Sequence, residues 1–335
     1  MDILRRISPA ILLFFLAPLI AEFLLGDLTI EQLPALFALA PLYGGGAILI
    51  REFVRRTGRT WPTFLLLALA YALFEEALLT QSLFNPNYLH LRLIDYGFVP
   101  PLGTALPWAI FVLGIHICWS LAVPTGLVES LFWERRTVPW LKLPGLLIVL
   151  VLFGVGAALV MKFSLGQTPF RASPIEILIS SLLGLIAVAA AFLAFPRREP
   201  AAISPRRAPV HPLIIGTATL LGGSAFVLAN SQGKAHLPWP ATAMLELAVA
   251  AALVGFFAWA NAGRRWTAAQ TWSAATGGML CYVWLGYTVD RGLHGPGHAA
   301  SHSIFVIAAV LVAAWAGLRV FRRPPSADEH QSPNG

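Results

Sequence analysis

Glu75 and Glu76 stand side by side in Tyr71-Ala-Leu-Phe-Glu-Glu-Ala-Leu-Leu-Thr-Gln-Ser82, a run otherwise dominated by Leu, Ala and Phe. A carboxylate at the centre of a bilayer costs on the order of 2.5–3.5 kcal/mol on insertion scales, so an ionisable residue there points to function. The next apolar run carries His116, with Ser120 four residues on and therefore on the same helical face. A carboxylate and an imidazole on neighbouring helices form a base and an orienting partner for water activation. Alternatively, the pair of carboxyls carries protons along a transport path, or braces helices without chemistry. Glu22 in the first apolar run and Tyr43, which precedes three glycines in the second, are candidates for lining the same cavity. On a regular α-helix Glu75 and Glu76 lie about 100° apart, so they are expected to point in different directions and do different jobs.

Other polar residues have plainer readings. His298 and His302 have a spacing that places two imidazoles on one helical face, with His294 just before them. Gly295-Pro296-Gly297 breaks that helix, so an interfacial histidine cluster is expected and no bound metal. Glu129 and Glu134 are expected at the interface beside Arg135 and Arg136, and Glu176 and Glu246 near helix ends. Phosphate loops, dinucleotide fingerprints, nucleophile elbows and zinc-protease motifs are missing. Cys118 and Cys281 both fall in apolar runs, so neither a CxxC metal motif nor a structural disulfide is expected.

These residues need elements to hold them. The chain has 335 residues, 57% hydrophobic and only 12% charged, where soluble domains carry about 25% charged residues. The fold class is all-α, a polytopic transmembrane helical bundle. Spans are expected near 8–26, 34–50, 62–84, 106–132, 143–163, 174–195, 211–230, 240–262, 267–289 and 301–321, the second being the shortest. The net charge of +7 is a topology signal and not a nucleic-acid signal. Of the 23 Lys and Arg residues, all but Arg92, Lys162, Arg171, Lys234 and Arg291 fall on one side of this layout. With the positive side cytoplasmic, both termini are cytoplasmic. Pro124-Thr125-Gly126 is expected to kink the fourth helix.

The expected organisation is a six-helix membrane module over 1–195 carrying the candidate site, a basic Pro-rich linker over 196–210, a four-helix module over 211–323, and a disordered tail over 324–335. Residues 85–105, rich in aromatic residues, Pro and Gly, form a long connection on the outer side, a lid or an interfacial segment. An internal repeat of the kind many transporters carry is not visible.

The order Glu-Glu in one span and His in the next resembles the CPBP family, the CAAX-protease and bacteriocin-processing membrane proteases. That family's motifs are Glu-Glu-x-x-x-Arg, then Phe-x-x-x-His, then a further His or Asn/Asp motif. By position Glu75 and Glu76 match the first and His116 the second. Thr80 stands where the motif has Arg, Phe111 precedes His116 by five residues, and a third motif is not evident. The resemblance covers about 60 residues. It implies a metal-independent intramembrane endopeptidase without cofactor, with Glu75 as the water-activating base. It also implies a membrane-embedded peptide or a prenylated or lipid substrate, in the company of membrane lipids and without nucleic acid. The expected location is a prokaryotic cytoplasmic membrane. The alternatives are a proton-coupled transporter using Glu75 and Glu76 as its protonatable site, with Glu22 and His116 along the path, and a non-catalytic scaffold.

Overall fold

A computed structural model describes residues 2–195, 197 and 207–322. Most of the 196–210 stretch and all of the 324–335 tail lie outside the described residues. Among the described residues, ten long helices follow one another: α1 Arg6–Leu24, α2 Ile30–Arg56, α3 Trp61–Leu79, α4 Leu106–Leu131, α5 Leu143–Gln167, α6 Pro174–Leu193, α7 Pro212–His236, α8 Trp239–Asn261, α9 Ala268–His294 and α10 Ala299–Phe321. All but α9 are long and apolar enough to cross a membrane. A helix of about 20 residues spans the 30 Å hydrocarbon core. The protein is a multi-pass integral membrane protein.

α9 is 27 residues long yet less apolar, because its neighbours are helices. It packs along α7, α4 and α10. Beside Met279, Tyr282 and Leu285, its buried positions include small or polar residues: Gln270, Thr271, Ser273, Gly277 and Gly278. Small residues let backbones approach closely where protein replaces lipid. A Cβ on Gly277 would overlap the carbonyl of Gly216 in α7. By contrast, α5, α6, α8 and α10 present Leu147, Ile148, Leu185, Ile186, Leu247 and Leu311 outward, as lipid-facing helices do.

The site is positioned by α1 to α4. The hydrophobic core runs through them and continues into α9 and α10, from Leu13 and Phe23 through Leu42, Phe64 and Leu121 to Met279 and Ala316. α5 flanks α2 and α3, α6 flanks α3, and α7 and α8 flank α4.

Two differences from the expected spans bear on the site. α2, expected to be the shortest, extends over 27 residues, because Arg51 and Glu52 belong to the helix and are fully buried within it. α3 stops at Leu79, sooner than expected. Gln81 adopts a left-handed backbone, φ 57°, and turns the chain into the 80–105 connection. That connection holds a two-residue hairpin, β1 Phe98–Val99 with β2 Thr104–Ala105. Its Tyr96 hydroxyl bonds the Leu237 carbonyl and the Thr242 hydroxyl, each at 2.7 Å, which fixes the segment to α7 and α8.

A candidate active site where four widened helix turns converge

Each of α1 to α4 contains a π-helical segment: Leu19–Leu24, Ala40–Gly44, Phe74–Leu79 and His116–Ala122. Such segments are rare and concentrate at functional sites. Each one here carries a candidate residue: Glu22, Tyr43, Glu75 with Glu76, and His116 with Ser120. Three have a proline beside or inside them. Pro18 directly precedes the first, Pro41 lies in the second, and Pro124 follows the third of these, in α4. A proline supplies no N–H to the carbonyl one turn back, so the regular ladder is already broken and a widened turn costs less there. In α3 the widened turn lies at the helix end, where Thr80 N–H reaches back to the Glu75 carbonyl at 2.9 Å.

The widening changes the expected geometry of the carboxylates. The 100° separation of a regular helix does not hold; both side chains converge on one atom. His116 Nε2 lies 3.2 Å from Glu76 Oε1 and 3.4 Å from Glu75 Oε2. All three residues are buried, and their ligand atoms lie within 4.8 Å of one another. His116 Nδ1 lies 2.8 Å from the Val112 carbonyl one turn earlier. A carbonyl only accepts, so Nδ1 carries a proton and Nε2 faces the two carboxylates. The Tyr43 hydroxyl stands 3.5 Å from the same Nε2, its ring stacked on the imidazole with centroids 6.0 Å apart.

Further polar groups fix these side chains. Glu76 Oε2 accepts hydrogen bonds from the Ser82 hydroxyl and, at 3.3 Å, from the Thr80 hydroxyl. On a continuous α-helix Ser82 would share a face with Tyr71 and Glu75; because α3 ends at Leu79, Ser82 instead folds back over Glu76. Tyr71 approaches Glu75, and Gly46 in α2 leaves room for the Tyr71 ring. Glu22 lies beside Tyr43 and within electrostatic reach of Glu75, His116 and Asp27. Ser120 is buried on the His116 segment, and among the described residues the site's hydrogen bonds do not include it.

Asp27, in the turn after α1, was not singled out in the sequence. Burial pushes its carboxyl from the ordinary 3.8 up to about 7, with His116 pulling the other way and Glu76 adding to the rise. It stands between the site and the loop end of the bundle, where His294 Nε2 donates to its backbone carbonyl at 3.0 Å. The three histidines at the junction of α9 and α10 do not gather. His294 and His298 rings lie 5.7 Å apart, while His302 is buried against the Tyr287 ring.

Glu129 corrects another expectation. It is buried, not interfacial. Its Oε2 accepts from Arg55 Nη2 at 2.7 Å and its Oε1 from Arg51 Nε at 3.1 Å. Arg51 also bonds Glu52 and the carbonyls of Val138, Arg135 and Arg136, and its guanidinium lies 3.5 Å over the Trp140 ring. All five guanidinium donors are therefore used. This network closes the opposite end of α2 and α4 and leaves its cations unavailable to Glu75 and Glu76.

The chain belongs to an uncharacterized membrane protein family, whose family model matches residues 11–330. Neither a curated protein nor a solved structure matches it.

Proposed function

We propose that this member of an uncharacterized membrane family is an intramembrane hydrolase of the glutamic type, resembling the CPBP proteases in its chemistry. The observation that carries the reading is the meeting of His116 Nε2 with the carboxylates of Glu75 and Glu76 at 3.4 and 3.2 Å in the apolar core. In this reading a water held against them loses a proton to Glu75 and attacks the scissile carbonyl, and Glu75 passes that proton to the leaving amine nitrogen as the C–N bond breaks. Glu76, held by Ser82 and Thr80, keeps the imidazole in place. The Tyr43 hydroxyl is positioned to donate to the developing oxyanion. Burial strengthens each of these interactions, because little water competes for them. The substrate class is a peptide embedded in the membrane or brought there by a lipid anchor.

The test is cleavage of membrane-embedded and prenylated peptides by purified protein in proteoliposomes. Glu75→Gln and His116→Ala are each expected to lower the rate by about 10²–10⁴-fold, the usual worth of a general acid or base. A rate unchanged in both variants contradicts the reading. Proton-coupled transport is the second reading, favoured by Glu22 and Asp27, which continue the line of carboxyls from the site toward the loop end. It predicts pH-gradient dissipation in the same vesicles, abolished by Glu22→Gln.

A further inference from the structure

The separations around His116 suit a shared ion better than a pair of hydrogen bonds. A charge-assisted N–H···O bond measures about 2.7–2.9 Å, and the Arg51–Glu52 and Arg55–Glu129 pairs of this protein do so, at 2.9 and 2.7 Å. The two contacts of His116 Nε2 are longer, 3.2 and 3.4 Å. With ligand bonds of about 2.0–2.1 Å, the edge of a tetrahedron around zinc is about 3.3 Å. We propose that Glu75, Glu76 and His116 bind one divalent transition-metal ion of the zinc type, with a fourth coordination position open.

Four further observations carry this. The protonated Nδ1 of His116 is committed to the Val112 carbonyl, which leaves Nε2 as the ring nitrogen that faces the two carboxylates. Metal-bound histidines are oriented by this kind of outer hydrogen bond. Glu76 has the matching support from Ser82 and Thr80. Glu75 Oε2, buried and aimed at the imidazole, has no hydrogen-bond partner. The charge also suits a cation. Two buried carboxylates face one imidazole, and the nearby arginines Arg51 and Arg55 are paired with Glu52 and Glu129. A divalent ion neutralises both carboxylates where a protonated imidazole neutralises one. Three protein ligands with an open position is the arrangement of catalytic zinc. The three ligands come from two π-helical segments, so the site follows from the backbone irregularity and not from a short sequence motif.

Ion binding stands independently of the hydrolase reading; the use of the ion to activate water rests on that reading and takes the role of base from Glu75, which then serves as a ligand. The experiment strips the full-length protein in detergent with a chelator and titrates it with Zn²⁺ alone. His294→Ala/His298→Ala serves as the background, to remove the neighbouring pair of imidazoles outside the site. One high-affinity equivalent per chain is expected, with at least a tenfold weaker Kd in His116→Ala and in Glu76→Gln. Co²⁺ added to the background protein should give the intense visible absorption of a four-coordinate N/O site, a readout that needs no change at the site if those variants misfold. Absence of stoichiometric Zn²⁺ binding, an octahedral Co²⁺ spectrum, or affinity unchanged in both folded variants overturns the proposal. Zinc bound without peptide cleavage removes the hydrolase reading alone. Cleavage that depends on Glu75 but survives chelation removes the ion alone.

Discussion

Arg51 shows how much depends on a single buried side chain. It satisfies five donors with two carboxylates and three carbonyls from the segment after α4. Removing one member of a buried ion network leaves the others charged and unpaired, which costs about 3–5 kcal/mol. Glu129→Ala strands both Arg51 and Arg55, so a large drop in apparent Tm is expected in detergent. Arg51→Lys is expected to destabilise as well, since an ammonium has three donors for five acceptors. Thermal denaturation followed by circular dichroism checks both; a Lys variant as stable as the parent would show that the fork geometry is dispensable. In the sequence these residues stand at span ends and read as topology signals. Their pairing was not legible because Arg51 and Glu129 are separated by 78 positions, and spacing along a chain says nothing of contacts across it.

At the scale of elements, the widened turns decide where the polar groups point. The positions of Glu75, Glu76, His116, Glu22 and Tyr43 in apolar runs were legible, because ionisable and phenolic groups stand out against Leu and Ala. The convergence of both carboxylates was not, because it depends on a departure from the 3.6-residue period. The signal available was indirect: Pro18, Pro41 and Pro124 lie close to Glu22, Tyr43 and His116. Gly44 ends one widened turn and packs against the backbone of Phe14 in α1. An added methyl there overlaps the Phe14 carbonyl, so Gly44→Ala forces α1 and α2 apart. A loss of about 1–3 kcal/mol, the usual cost of overpacking, is expected together with a loss of site function; unchanged denaturation would show that the contact is not tight.

The turn between α1 and α2 adds a pH dependence. The folded protein keeps the Asp27 proton up to about pH 7, whereas the ordinary carboxyl releases it near 3.8. The folded state thus binds more protons across that window, and stability falls as pH rises through it. Glu22, Glu76 and His116 face the same carboxyl, so they set its environment. Asp27→Asn should flatten this part of the stability profile and raise stability at pH 8. A profile of unchanged slope would contradict the assignment of that slope to Asp27.

For the whole molecule, apolar run lengths were enough to reveal a ten-helix bundle, since a membrane admits few alternatives to the helix. α9 was legible by length alone; its polar face has no lipid to meet. The bundle brings two ionisable stretches, at 75–76 and 116, to one point beneath the 80–105 connection, and α9 and α10 close the far side of α1 and α4. The central claim is that this point activates water. The most direct measurement compares peptide cleavage in proteoliposomes by the parent protein and Glu75→Gln at equal, folded concentrations. Cleavage by the parent and a loss of at least about 10²-fold in the variant is the predicted result; equal cleavage by both would contradict it.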